Sequence, residues 1–301
     1  MTRFALLLPL ILASVQNAGA VSFTVTQLTS EEMVFNAPGD TLTPTGLNNV
    51  LSFTVEPSLG GPAVQIATTD YFGLQPASID TPFPIQYPGV GGKLFPNDAD
   101  YMSAGTQGLS LSTGINKTTA QSVETLFFPV VFIDPLAVGD GTVDFFIADI
   151  ANNQSPDLWE LLDSSGSVVA SITPEGPFTG GADWNRIGTL NLERYNNATM
   201  MVQDFPNRHL SAMALELTDF SGLTQANAST VASMRITIAD PAASDPRPRT
   251  DYAFISSDIN SIQFSNQVAP VPEPGTLSLL AVALVGLGAR VSASRNSAGR
   301  R

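Results

Sequence analysis

The sequence contains no cysteine in 301 residues, and this absence excludes several kinds of chemistry. Disulfide bonds, thiolate catalysis and zinc sites with cysteine ligands all require that residue. Histidine occurs once, at His209, so a metal site built from two or more imidazoles is excluded as well. The missing cysteine does not argue against export, because a chain of this length can bury a core that needs no covalent cross-link.

Basic residues are also scarce, with 13 Lys and Arg against 27 Asp and Glu. Five of the basic residues lie in the two terminal segments, which hold no acidic residue before Val21 or after Ala289. Between those limits 8 basic and 27 acidic residues give a net charge of −19. A body so acidic repels phosphate backbones and anionic headgroups, so nucleic acid is excluded as a partner.

The N-terminal segment, residues 1–20, has the pattern of a secretory signal peptide. One arginine precedes an apolar stretch from Phe4 to about Val15, and the small residues Ala18 and Ala20 form an A-x-A-type cleavage site. A buried N-terminal helix is the alternative, but Pro9 and the small-residue exit favour the signal peptide. We therefore expect the mature chain to begin at Val21.

The C-terminal segment combines three features in a fixed order. Pro272, Glu273 and Pro274 form a triplet, and Thr276–Ala289 is continuously apolar or small. Four arginines then close the chain: Arg290, Arg295, Arg300 and Arg301. This order resembles the PEP-CTERM sorting signal, and the resemblance covers only about the last thirty residues. An ordinary core helix, the alternative, needs neither the triplet nor the arginines.

The PEP-CTERM resemblance implies processing by an exosortase, a membrane-bound transpeptidase-like enzyme of Gram-negative bacteria that make extracellular polysaccharide. The two prolines of the triplet keep the backbone extended before the apolar helix begins, which suits recognition by an enzyme. Arginines after the helix stay cytoplasmic by the positive-inside rule, so the tail would be a transient inner-membrane anchor. Its apolar run is shorter than the roughly 20 residues that span a bilayer squarely.

The body between the two ends has the composition and spacing of an all-β protein. Short apolar runs recur from Val21 to Gln267, and several alternate, as Arg235–Ile238 does. We predict a β-sandwich or jelly-roll-like body, an N-terminal signal peptide and one C-terminal hydrophobic helix. The expected segments are a signal peptide at 1–20, the β domain at 21–267, a linker at 268–275 and the sorting helix with its arginine tail at 276–301.

Local signals refine the prediction for the body. Asp140-Gly141 and the stretch Asp163–Gly166 predict two β-hairpins. Pro129 predicts a break inside the apolar run Ser122–Ile133, which reads as a central strand. The Pro- and Gly-rich stretch Gly73–Gly105 predicts a long surface loop.

Aromatic residues are the candidates for a ligand site. Trp and Tyr rings suit stacking on sugars, because they offer an apolar face with a polar edge. Trp159 lies within an apolar run and is expected in the core, whereas Trp184 lies in a Gly-rich loop and is the better exposed candidate. A carbohydrate-binding module for extracellular polysaccharide is therefore one alternative function.

Other candidate sites are weaker. Acidic and amide side chains cluster at Asp134, Asp140 and Asp144, and again at Asn97, Asp98 and Asp100. These clusters lack the spacing of known calcium loops, so solvated turn residues are the better interpretation, with weak extracellular Ca²⁺ binding left open. His209 reads as a surface-loop residue, because no nucleophile elbow accompanies it.

The function expected from the sequence is that of an exported surface or extracellular-matrix protein with a non-enzymatic structural or interaction role. No cofactor is expected, and the identity of any metal is left unknown. The second alternative is a glycan hydrolase that uses two carboxylates, but a chain with 27 acidic residues always offers such pairs.

Overall fold

A computed structural model describes residues 22–77, 83–116, 124–150, 157–174, 183–238 and 251–268. Within these ranges strands are the main regular structure, and the helices are 3₁₀ turns of three or four residues. The all-β prediction is therefore confirmed. The signal peptide, the sorting triplet and the C-terminal helix lie outside the described residues.

Twelve strands form the larger sheet, whose main path runs β5-β4-β1-β14-β10-β16-β6. Its strands are β1 Phe23–Ser30, β2 Val34–Phe35, β3 Thr41–Leu42, β4 Val50–Pro57, β5 Val64–Ala67, β6 Tyr71–Gly73, β7 Phe83–Gln86, β8 Gly114–Asn116, β10 Phe145–Asp149, β13 Asn185–Asn196, β14 Met201–Leu215 and β16 Tyr252–Asp258. Nearly all pairs are antiparallel; the short β3 runs parallel to β13.

Five strands form the smaller sheet, in the order β12-β11-β15-β9-β17. They are β9 Glu124–Ile133, β11 Leu158–Asp163, β12 Val168–Ile172, β15 Val231–Ile238 and β17 Ile262–Phe264. The first eight strands all belong to the larger sheet, and from β9 onward the chain crosses repeatedly between the two sheets, so each sheet draws on distant parts of the chain.

The central strands of the larger sheet are buried on both faces. In β10, Phe145 and Ile147 pack into a cluster shared with the smaller sheet, whereas Phe146 and Ala148 face a second cluster inside the larger sheet. Successive side chains on a strand point to opposite faces, so a run that is apolar at every position can fill two cores at once. This burial explains why Phe145–Ile147 shows no alternation.

The larger sheet curls so that its end strands meet. β5 and β6 are the two ends of the main path, yet only the 3₁₀ turn Thr68–Asp70 separates them. Thr68 Oγ1 donates to the carbonyl oxygen of Val50 in β4 at 2.9 Å. The Phe53 ring of β4 lies 5.3 Å from the Tyr71 ring of β6 and stacks on Phe146 of β10 at 4.0 Å. The curl thus encloses the second core cluster.

The first described residue is tied to the domain by a distant carboxylate. Both the backbone N–H and the Oγ of Ser22 donate to Oδ1 of Asp219, at 3.0 and 2.7 Å. β1 follows directly and lies between β4 and β14 in the larger sheet. The N-terminal strand is therefore an interior strand of the sheet.

One predicted hairpin is confirmed and the other is wrong. β11 and β12 pair antiparallel around Asp163–Gly166, where the Asp163 carboxylate accepts hydrogen bonds from the N–H and Oγ of Ser165. Asp140-Gly141 joins no hairpin, because β9 before it and β10 after it belong to different sheets. The turn residues correctly indicated a change of chain direction at both places, but they did not indicate which strands pair with each other.

Three further expectations need correction. The stretch Gly73–Gly105 is not simply a surface loop, since it contributes β7 and the fully buried Tyr101. β9 continues through Pro129 without the expected break. His209 lies within β14, opposite Thr189 of β13, rather than in a loop.

No helix in the described ranges is long and apolar enough to cross a membrane. The expected sorting helix, residues 276–301, lies beyond Val268, the last residue described.

Candidate functional site

The junction between the β domain and the tail lies at Val268. After β17, Gln267 bridges to Leu74, and the backbone N–H of Val268 donates to the carbonyl oxygen of Gly73 at 2.9 Å. The chain therefore leaves the domain beside the end of β6. The Pro-Glu-Pro triplet begins four residues later.

Two glycines make the junction a close backbone contact. A Cβ atom on Gly73 would lie 2.3 Å from the carbonyl oxygen of Gly108, a separation that real structures do not show. A Cβ on Gly108 would lie 2.7 Å from Cγ2 of Val268, and the φ of Gly108 is +73°, which favours glycine. Only glycine fits at both positions, so Val268 is held firmly at the point where the tail begins.

Trp159 is a core residue, as the sequence predicts. Its side chain is fully buried, and its ring makes edge contacts with Phe145 at 6.4 Å and Tyr252 at 6.3 Å. These contacts join the smaller sheet to the larger one. Trp159 therefore offers no ring face to a ligand from solvent.

Trp184 is buried as well, so the expectation that it is exposed is wrong. Only 5% of Trp184 is accessible, and its ring lies 6.4 Å from that of Tyr252 in β16. Tyr71, Tyr101 and Tyr195 are likewise buried, whereas Tyr87 is partly exposed. Neither tryptophan therefore offers a ring face for sugar stacking.

Truncation of Trp184 is accordingly expected to damage the fold. Trp184→Ala removes a large buried ring, and such losses cost about 3–5 kcal/mol, or roughly 10 °C in Tm. Thermal unfolding followed by circular dichroism measures the change. Phe132→Ala is the control, because that ring is 47% exposed and should cost far less. An unchanged Tm for Trp184→Ala would contradict the burial of this ring.

The first acidic cluster divides into turn residues and one buried acid. Asp134 Oδ1 accepts the N–H of Leu136 at 2.9 Å, and Asp140 Oδ1 accepts both the N–H and the Oγ1 of Thr142. These two carboxylates therefore cap their own turns. Asp144, by contrast, is fully buried, and its Oδ2 accepts the N–H of Leu217 at 2.6 Å.

The acids of the second cluster are half-buried and paired with both near and distant side chains. Asp98 pairs with Lys93 at 2.5 Å and accepts from the amide of Asn197 at 3.2 Å. Asp100 accepts from the amides of Asn97 at 3.2 Å and of Gln75 at 2.6 Å. Among the residues that the structure describes, no group of three or more His, Asp or Glu could hold a metal ion.

The pKa of Asp144 is raised from its usual range to about 8, chiefly by burial, with a contribution from the nearby carboxyls of Asp140 and Glu216. Burial also raises the pKa of Asp219 and of Asp258. Sequence inspection grouped Asp144 with solvated turn residues. Its position one residue before β10, a strand buried on both faces, is the signal that could have set it apart.

Comparison with protein families finds one match, at the end of the chain. Residues 270–295 match the PEP-CTERM protein-sorting motif. The match confirms the resemblance seen in the triplet Pro272, Glu273 and Pro274 and extends through Arg290 to Arg295. The PEP-CTERM motif implies export to the cell surface or beyond and processing by an exosortase. It begins two residues after Val268 of the domain.

No curated protein and no solved structure matches the chain. The PEP-CTERM motif is thus the one part of the sequence with a family assignment. The expected cleavage residues Ala18 and Ala20 and the arginines Arg300 and Arg301 lie outside both the motif match and the described residues.

Proposed function

We propose that the chain is a non-enzymatic protein of the cell surface or extracellular matrix, delivered by its PEP-CTERM motif. The observation that carries the proposal is the order of the parts: a packed β domain ends at Val268, and the sorting motif starts at residue 270. A short connection of this kind leaves the triplet accessible to an enzyme in the membrane while the domain stays outside.

The tail acts in this proposal as a temporary anchor. The apolar segment Thr276–Ala289 enters the inner membrane, and Arg290 to Arg301 remain on the cytoplasmic side. The residues that flank Pro274 and a snorkelling Arg290 make up the length that the short apolar run lacks. Exosortase then cleaves near the triplet and releases or transfers the domain.

The domain itself is proposed to be a sandwich-like structural or interaction module without a cofactor. Support comes from the packing of its two sheets through one shared apolar cluster. It comes also from the hydrogen bonds that the carboxylates of Asp134 and Asp144 accept from backbone N–H groups. The burial of Trp159 and Trp184 removes the observation that favoured a carbohydrate-binding module. No feature of the described residues favours the carboxylate hydrolase over this role.

The intact mass of the protein isolated from its own cells tests the proposal, together with the cell fraction that yields it. We expect a mass that begins at Val21 and ends near Pro272–Pro274, with or without an added group, in the surface or extracellular fraction. A mass that retains Arg301 in the inner membrane would instead mean a permanent anchor, and the sorting proposal would be wrong.

A further inference from the structure

The outer face of β9 exposes large apolar side chains. Phe127 is 38% exposed, Val131 65% and Phe132 47%, and Leu136 in the turn that follows is 74% exposed. We call these four residues the β9 patch. The intervening side chains of Leu126, Phe128 and Ile133 are buried in the core.

A local irregularity enlarges the patch. The register between β17 and β9 shifts between the pairs Gln263↔Phe132 and Phe264↔Val130, so Val131 has no partner in β17. An extra residue of this kind interrupts the alternation of a strand, and Val131 and Phe132 consequently both face outward. Bulges that re-aim side chains are common at sheet edges and beside functional sites.

The strand that carries the patch has no charged residue from Thr125 to Ile133, although the sequence carries 27 acidic residues. The charged side chain opposite the strand on the same face is basic: Arg235 of β15 pairs with Phe127 and forms a salt bridge with Glu160 at 2.8 Å. Contiguous apolar groups on a surface mark contact sites more often than chance. An acidic surface is repelled by anionic headgroups, so a face with few acidic side chains is the one that can approach a membrane.

The Phe127 end of the patch also lies beside the start of the tail. The N–H of Ser265 donates to the carbonyl oxygen of Pro129 in β9 at 3.0 Å, and Val268 follows three residues later. The segment next to the junction reaches the same strand, because the N–H of Ala77 donates to the carbonyl oxygen of Phe127 at 3.1 Å. β9 is therefore the neighbour of β17, the strand of the smaller sheet that leads into the tail.

The length of the connection limits how far the domain can stand from the bilayer. Residues 269–275 reach at most about 25 Å when fully extended, and the prolines among them restrict the backbone. With Thr276–Ala289 in the membrane, the face beside Val268 is the one held toward the lipid.

We propose that the β9 patch rests on the lipid surface while the tail is anchored, with its apolar side chains at the boundary between headgroups and acyl chains. The inference rests on the proposed anchoring of the tail and adds the orientation of the domain. Amphipathic helices on a membrane bury their apolar face about 5–10 Å into this boundary, and the exposed side chains of the β9 patch would enter to a similar depth. Such contact would hold the Pro-Glu-Pro triplet at the membrane surface, where an exosortase acts.

The absence of cysteine allows a direct test with the full chain. Single-cysteine variants carry an environment-sensitive fluorophore and are reconstituted in phosphatidylcholine vesicles with or without nitroxide-labelled lipid. Leu136→Cys reports on the patch, and Leu284→Cys reports on insertion of the tail. We expect the lipid quencher to lower the fluorescence at both positions by about twofold or more, as interfacial burial requires.

Leu59→Cys is the matched control, because Leu59 is also an exposed leucine in a turn. Leu59 follows Pro57, the last residue of β4. At the first residue of β4, the N–H of Val50 donates to the carbonyl oxygen of Leu109, which lies beside the junction. β4 separates these ends by about 23 Å. We expect no lipid quenching at Leu59.

A second variant tests the contribution of the apolar surface. Val131→Glu in the Leu136→Cys background adds a carboxylate to the patch and should abolish most of the quenching, whereas Val64→Glu on the edge strand β5 should not. Introduced into the Leu284→Cys background instead, neither substitution should reduce the quenching at position 284.

Each outcome is decisive. Quenching at Leu284 without quenching at Leu136 would overturn the orientation and leave the anchor intact. Loss of quenching at Leu284 would overturn the anchor itself, and with it this inference. A blue shift at Leu136 without lipid quenching would identify a protein occupant, either the chain's own tail or a second copy, and would also overturn the membrane contact.

Discussion

Replacing both Pro272 and Pro274 with alanine is expected to stop processing of the protein and to leave most of it in the inner membrane. Proline holds the backbone extended and prevents helix formation at the preceding residue. With alanine at both positions, the apolar helix can extend toward the domain and include residues 272–274. These residues would then be helical and no longer extended for recognition by the enzyme. Cell fractionation with intact mass measurement should find the full-length C-terminus, including Arg301, in the membrane.

Pro270→Ala provides the matched control, because it changes a proline in the same linker outside the triplet. We expect its processing to be normal. Truncation after Val268 removes the anchor altogether and should yield a soluble exported domain with a Tm close to that of the processed protein. Normal release of the double variant would show that the triplet is not the recognised element, and failure of the truncated chain to fold would make the tail a structural part of the domain.

Raising the pH from 5 to 8 is expected to lower the Tm on the order of 10 °C, and Asp144→Asn should remove most of that loss. The pKa of Asp144 in the fold is about 8, above the usual value of 3.8, because burial disfavours the carboxylate. The folded state therefore binds the proton more tightly than the unfolded state, and stability falls as pH rises between these two values. The slope for one such group is at most about 1.4 kcal/mol per pH unit.

Asn at position 144 is neutral at every pH and close to the protonated acid in shape. We therefore expect Asp144→Asn to be more stable than the wild type at pH 9, although both should be similar at pH 5. Asp204→Asn, at an exposed position of β14, serves as the control and should leave the pH profile unchanged. A wild-type Tm that rises between pH 5 and 8 would contradict the burial of a protonated Asp144.

The sequence predicted those features that depend on neighbouring residues. Alternation in Arg235–Ile238 and the turn chemistry of Asp163–Gly166 located β15 and the β11–β12 hairpin, because strand periodicity and turns are local properties. The sorting motif was recognisable for the same reason, since its three parts follow one another directly.

The features that the sequence missed depend on contacts between distant segments. Trp184 reads as exposed from its Gly-rich neighbours, yet its ring packs on Tyr252, a residue much later in the chain. A proline at position 84 argues against a strand, yet Pro84 lies within β7. On one side of β7, β13 pairs with Ile85 and Gln86, so Pro84 itself is paired only with β8 on the other side. The β9 patch depends on a register shift with β17, which no local pattern of β9 indicates.

The order of strands in the two sheets also sets when this domain can fold. β1 pairs with β14, which comes much later in the chain, and Ser22 donates its hydrogen bonds to Asp219. The smaller sheet is complete only when β17, which ends at Phe264, has been added. Folds dominated by such distant pairings form slowly, because long loops must close before the contacts stabilise them. A chain that leaves the cell N-terminus first thus cannot finish folding until residue 264 has emerged. The sorting motif follows directly after residue 264 in the chain. The last step of folding and the arrival of the motif at the membrane therefore occur at the same stage of export.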